Sequence, residues 1–195
     1  METSEKIMSG EESLKIITGM INKTKGNIRQ SSFHLLFWGW LIFACSLAEY
    51  LLGKFTSYAT PWHVWYLVIP GVFVSLIYGA IKGRKAKVHT YAEMLSMWTW
   101  LGFIIAATIL FILLKNNMES VPPFILLLAG FPTFVSGFIL RFKPLIFGGL
   151  SMWAFSVVAN FGGPDIAPLA VPVAMLTGYL IPGYILRRKV DHDSV

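Results

Sequence analysis

Six runs of roughly twenty residues carry almost no charge, and the gaps between them are too short to hold a soluble domain. They fall at residues 33–52, 62–81, 93–114, 121–140, 144–161 and 165–186. About 20 apolar residues in a helix are enough to cross the hydrocarbon of a bilayer. Backbone groups placed there must be bonded within their own segment or in a closed barrel. A barrel strand alternates polar and apolar residues, and these runs do not. The whole chain agrees: 55% of its residues are apolar and 13% charged, where a soluble domain carries about a quarter charged residues. The expected fold is all-α: a polytopic protein of six transmembrane helices with a short amphipathic helix before the first.

Charge sets the expected topology. Lys6, Lys15, Lys23, Lys25 and Arg29 precede the first run. Lys82, Arg84, Lys85 and Lys87 follow the second, Arg141 and Lys143 the fourth, and Arg187, Arg188 and Lys189 the sixth. These segments hold 14 of the 16 basic residues; only Lys54 and Lys115 lie in the other gaps. Basic loops stay inside, so both termini are expected in the cytoplasm. The divisions are then 1–31, a cytoplasmic segment with the amphipathic helix; 32–189, the six-helix membrane domain; and 190–195, a cytoplasmic tail. No cleavable signal is expected, because the first apolar run is too long for one. The net charge of +6 suits anionic lipid, and no nucleic-acid motif accompanies it.

Certain phrases recur. WGWLIF occupies 38–43 and WTWLGF 98–103; LSMW stands at 95–98 and again at 150–153. The even-numbered runs end in Gly-x-Ile followed by a base, at Gly79, Gly137 and Gly183. Each even run also carries small residues at steps of four: Gly71, Ser75, Gly79; Ala129, Thr133, Gly137; Ala170, Ala174, Gly178. That step puts them on one helix face, where small side chains let membrane helices approach closely. The pattern predicts three two-helix repeats, with the three small faces meeting one another or a shared centre.

Trp38, Trp40, Trp98 and Trp100 are placed about 7–10 Å inside the cytoplasmic boundary by helical rise. Tyr50, Tyr58, Trp62, Trp65 and Tyr66 would form the opposite aromatic belt. Pro70, Pro132, Pro168, Pro172 and Pro182 interrupt helices, and the sixth is expected to bend. Pro122, Pro123 and Pro144 sit at helix starts, where no bond is lost. Before the first span, Ser9 and Glu12 make a capping box. Leu14, Ile17 and Ile21 share a face over residues 11–25, and Gly26 would close that helix.

Chemistry is sparse. Glu49, His63, Asn160 and Asp165 share the outer side and form the candidate polar cluster, read mainly as hydrated rim residues. No catalytic residue is assigned. Cys45 reads as a small apolar residue. Metal-protease, serine-hydrolase and phosphate-loop signatures are missing, and no metal or cofactor is expected. The ESLKII phrase at 12–17, then a Trp-Gly-Trp first span and further spans, resembles small uncharacterised bacterial multi-pass membrane proteins. The likeness covers mainly residues 11–43 and the span count. It implies a bacterial inner-membrane location and transfers no functional residue. The expected function is non-enzymatic: an accessory or regulatory membrane subunit acting through helix packing. Its partners would be lipid, another membrane or cytoplasmic protein, or a second copy. The alternative is a small transporter or channel for an apolar or weakly polar solute.

Overall fold

The computed structural model describes residues 10–56, 59–83 and 91–192, with backbone only for 10–31, 82–83, 92–93 and 189–192. Helix α1 spans Gly10–Phe55. A 3-10 segment, Pro61–Leu67, runs directly into α2, Val68–Gly83. Helix α3 is Tyr91–Leu113, and a 3-10 turn at Met118–Ser120 leads into α4, Val121–Ile139. Helix α5 is Lys143–Phe161. The last span is α6, Gly163–Met175, a π-helical segment, Leu176–Leu180, and α7, Ile181–His192. Among the described residues there is no strand.

Among the described residues, six helical stretches are long and apolar enough to cross a membrane: Ser32–Phe55, Pro61–Ile81, Met94–Leu113, Met118–Ile139, Lys143–Phe161 and Gly163–Arg188. The chain is an all-α polytopic membrane protein. Gly26 lies inside α1 and closes nothing. A glycine in a helix interior costs only about 1 kcal/mol, and the residues after it carry the helix into the first span. The amphipathic face expected over 11–25 belongs to side chains outside those described.

Around the bundle the helices follow the order α2, α1, α6 with α7, α5, α4, α3. The centre belongs to the later spans. Of its most apolar window, 61% of the sixth span and 44% of the fourth is buried, against 6% of the second and none of the third. Leu126, Leu145, Met152, Ala174 and Tyr179 form the middle of the core. Trp100 and Phe103 of α3 and Trp38 of α1 pack onto it. Membrane helices gain little from hydrophobicity against lipid, so close packing carries the association.

In the sixth span the helix runs through Pro168 and Pro172, and its geometry changes only just before Pro182. Ile181 donates its N–H to Leu176 O, five residues back. Pro182 has no N–H to offer Gly178, four residues before it, and its ring would press on that carbonyl. Widening one turn relieves the clash, and single wide turns inside helices have this kind of cause. Pro132 similarly leaves the carbonyl of Leu128 without an α-helical donor. One residue before that, Leu127 O accepts from the Trp153 indole at 3.0 Å.

The α4–α5 turn is a Schellman cap. Phe142 N donates to Gly137 O at 2.8 Å and Arg141 N to Phe138 O at 3.1 Å. Arg141 occupies the left-handed position, φ 50°, which glycine fills without a Cβ penalty. Arg141→Gly should therefore raise stability by about 1 kcal/mol, read as a higher thermal midpoint of the purified protein.

Candidate functional site

Three of the four polar residues of the outer side have local partners, on α1, on the 3-10 segment and across to the start of α6. Glu49 on α1 accepts from the Trp65 indole through Oε2 at 2.8 Å. Cys45, 1% exposed and four residues earlier, points its thiol at Val64 O, 3.4 Å away. These contacts dock the 3-10 segment onto α1. His63 lies beside Thr60, with Nδ1 2.9 Å from Oγ1. Its ring meets Trp62 at 4.3 Å and stacks on Tyr66 at 5.5 Å. Asp165 is 3.7 Å from Lys54, which also donates to Tyr50 at 3.0 Å. Both members of that ion pair are open to solvent, so it contributes little to stability. Asn160 is exposed. Of the four, Glu49 ties the 3-10 segment to α1, through its partner Trp65.

Replacing Glu49 with Leu should cost about 1 kcal/mol by stranding the Trp65 donor. Glu49→Gln keeps an acceptor and should lose much less. Thermal unfolding with tryptophan emission distinguishes the two variants.

The small-residue faces divide. Ala129 is 8% exposed and Thr133 0%, while Ala170 and Ala174 are 2% and 0%. Gly137 and Gly178 are buried. A Cβ on Gly137 would stand 2.7 Å from Ile146 N. Thr133 Oγ1 donates to Ala129 O at 2.7 Å and lies 3.4 Å from the Tyr179 hydroxyl and 3.8 Å from Met152 Sδ. The ladders of the fourth and sixth spans both pack on α5: Gly137 against Ile146, Gly178 against Gly148 and Met152, and Thr133 against Met152. The ladder of the second span does not join them. Gly71 packs under Leu41 and Phe37 of α1, and a Cβ on Gly79 would have nothing within 4 Å. Aromatic α1 has filled the face that the repeat pattern reserved for the other even spans.

Ser75, the middle rung on α2, serves a polar purpose. Trp38 donates to Ser75 Oγ at 3.1 Å, and the same oxygen lies 3.1 Å from His34 Nδ1. With the indole donating, the hydroxyl is free to donate to His34. Trp40 likewise reaches across to the Tyr184 hydroxyl on α7 at 3.1 Å. Sequence reasoning reads Trp38 and Trp40 as belt or packing residues and does not find these partners, because the pairing of α1 with α2 and α7 leaves no mark in one dimension. The usable signal was amphipathic: a tryptophan in a span has one N–H that needs a partner.

Among the described residues no group of three or more His, Cys, Asp or Glu is arranged to hold a metal. Compared with protein families, with curated proteins and with solved structures, the chain matches none.

Proposed function

We propose that this is a non-enzymatic protein of the bacterial inner membrane that acts through contacts of its helices, as an accessory or regulatory subunit with both termini in the cytoplasm. The observation that carries this reading is the division between a filled centre and two uncovered outer helices. Leu126, Leu145, Met152, Thr133 and Pro132 are each less than 2% exposed, so the middle of the bundle is occupied by side chains. Helices α2 and α3 stand at the two ends of the packing order. They turn outward Phe73, Leu76, Ile104 and Ile112, each more than half exposed. Lipid wets such faces, and a neighbouring span packs on them through the same dispersion contacts.

Photo-crosslinking residues placed at Leu76 and Ile112 in native membranes test the reading. A discrete adduct at a fixed stoichiometry is expected at one of these positions. A protein that yields lipid adducts alone, and moves a solute after reconstitution by itself, overturns it. The orientation rests on the distribution of Lys and Arg. In a Cys45→Ala background, Lys85→Cys should resist a membrane-impermeant thiol reagent in intact cells and react after lysis.

A second reading, a small transporter for an apolar or weakly polar solute, is favoured by one observation. The π segment carries Tyr179 into contact with Thr133 at the centre, and broken helices at mid-membrane accompany many transport sites. Solute uptake that Tyr179→Phe abolishes would favour this reading over the first.

A further inference from the structure

A surface away from α2 and α3 carries chemistry that the contact reading does not use. Between the start of α5 and the π segment with α7 runs an open groove of about 430 Å³. Pro144, Phe147, Ile181 and Pro182 form its walls, and Ser151 and Thr177 its deeper end. The two hydroxyls lie 3.0 Å apart, and each has a main-chain acceptor: Gly148 O at 2.8 Å for Ser151, Val173 O at 3.1 Å for Thr177. That end of the groove thus offers hydrocarbon no stranded donor, and burying it beneath an apolar chain carries no desolvation penalty of the kind an unmet hydroxyl would impose.

The opposite end is cationic. Lys143 lines the groove. Arg141 is exposed in the turn two residues earlier, and Arg187 and Arg188 are exposed on α7 just past Pro182. Of the described side chains, the acids Glu49, Glu119 and Asp165 all belong to the other end of the bundle. From Lys143 to Ser151 the helix rises about 12 Å, most of the ~15 Å half-thickness of a bilayer's hydrocarbon. The groove is therefore apolar over the depth of one leaflet and basic at headgroup level.

We infer that this groove is a binding site for an anionic phospholipid. One acyl chain lies along Phe147 and Ile181, and the phosphate sits among Arg141, Lys143 and the α7 arginines. The inference is independent of the contact reading, since it involves neither α2 nor α3.

The test uses the full chain in nanodiscs of phosphatidylcholine doped with phosphatidylglycerol of the same acyl composition. Lipids retained after transfer to detergent are counted by native mass spectrometry. Wild type should keep one phosphatidylglycerol in preference to phosphatidylcholine. Removing charge with Arg141→Gly or Lys143→Ala should weaken that preference about fivefold per residue. Ile181→Trp, which fills the groove and leaves every charge, should lower retention of both lipids. Inorganic phosphate alone should not displace the bound lipid, since the acyl chain holds it. Equal retention of the two lipids, or retention unchanged in Ile181→Trp, overturns the site, and so does complete displacement by phosphate. Should Ile181→Trp fail to fold, a lipid with a photoreactive acyl chain decides on the wild-type protein. Adducts at Phe147 or Ile181 support the groove, and adducts confined to α2 and α3 exclude it.

Discussion

Gly148→Leu is expected to yield no stable six-helix bundle. A Cβ at this position would lie 2.7 Å from the Gly178 carbonyl oxygen and 3.1 Å from its Cα. The obstacle is main chain, so no rotamer change removes it. Helix α5 and the π segment would have to move apart. Gly178 also packs on Met152, with Cε 2.6 Å from where its own Cβ would be. Separation at Gly148 therefore opens the core beside it. Overpacking of this kind costs about 1–3 kcal/mol and occasionally more, and a rigid backbone obstacle places Gly148→Leu at or above the top of that range. The control is Gly79→Ala. That glycine also belongs to a small-residue ladder, yet nothing stands within 4 Å of the added methyl, and alanine favours the helix. Thermal unfolding followed by size-exclusion chromatography should show Gly148→Leu aggregated or strongly shifted and Gly79→Ala at or above wild type. A Gly148→Leu protein that melts like wild type would mean α5 and the sixth span do not approach as described.

These two glycines mark where sequence reasoning ran out. Length and apolarity place all six spans, because the cost of unbonded backbone in hydrocarbon allows few alternatives. Prolines were readable in part: Pro122, Pro123 and Pro144 stand at helix starts and Pro182 follows the π segment, whereas α-helix continues through Pro132, Pro168 and Pro172. Which small face meets which neighbour was not readable. The ladders at Gly71 and Ala129 look alike in one dimension, yet α2 turns Gly71 and Ser75 to α1 while α4 and the sixth span turn theirs to α5. The LSMW phrases diverge in the same way. Trp98 is 58% exposed, whereas Trp153 donates to Leu127 O. A local phrase fixes a helix and its depth, and its partner is fixed by the packing of the whole. The Glu49–Trp65 bond was not legible either, since it depends on how the 3-10 segment folds back onto α1.

Met152 offers the second large effect, and its size bears on what holds the bundle together. The side chain is 0% exposed and lies against Gly178 and the Thr133 hydroxyl. In water-soluble proteins, cutting a buried Met to Ala costs about 2–5 kcal/mol, part transfer free energy and part cavity. Here the unfolded reference still sits in lipid, so the transfer part largely cancels and the cavity part remains. Met152→Ala should therefore lose about 2–3 kcal/mol, the lower portion of that range. Thr133 keeps its bond to Ala129 O, so no polar group is stranded and the loss is one of packing. Met152→Leu, near in volume, should cost under about 1.5 kcal/mol. Titrating a small apolar ligand such as benzene separates the two contributions, because an apolar cavity stays dry and binds such molecules. Benzene should restore much of the thermal midpoint of Met152→Ala and leave wild type unmoved. A loss near 5 kcal/mol that benzene does not relieve would instead mean that the centre is held by more than the fit of its side chains.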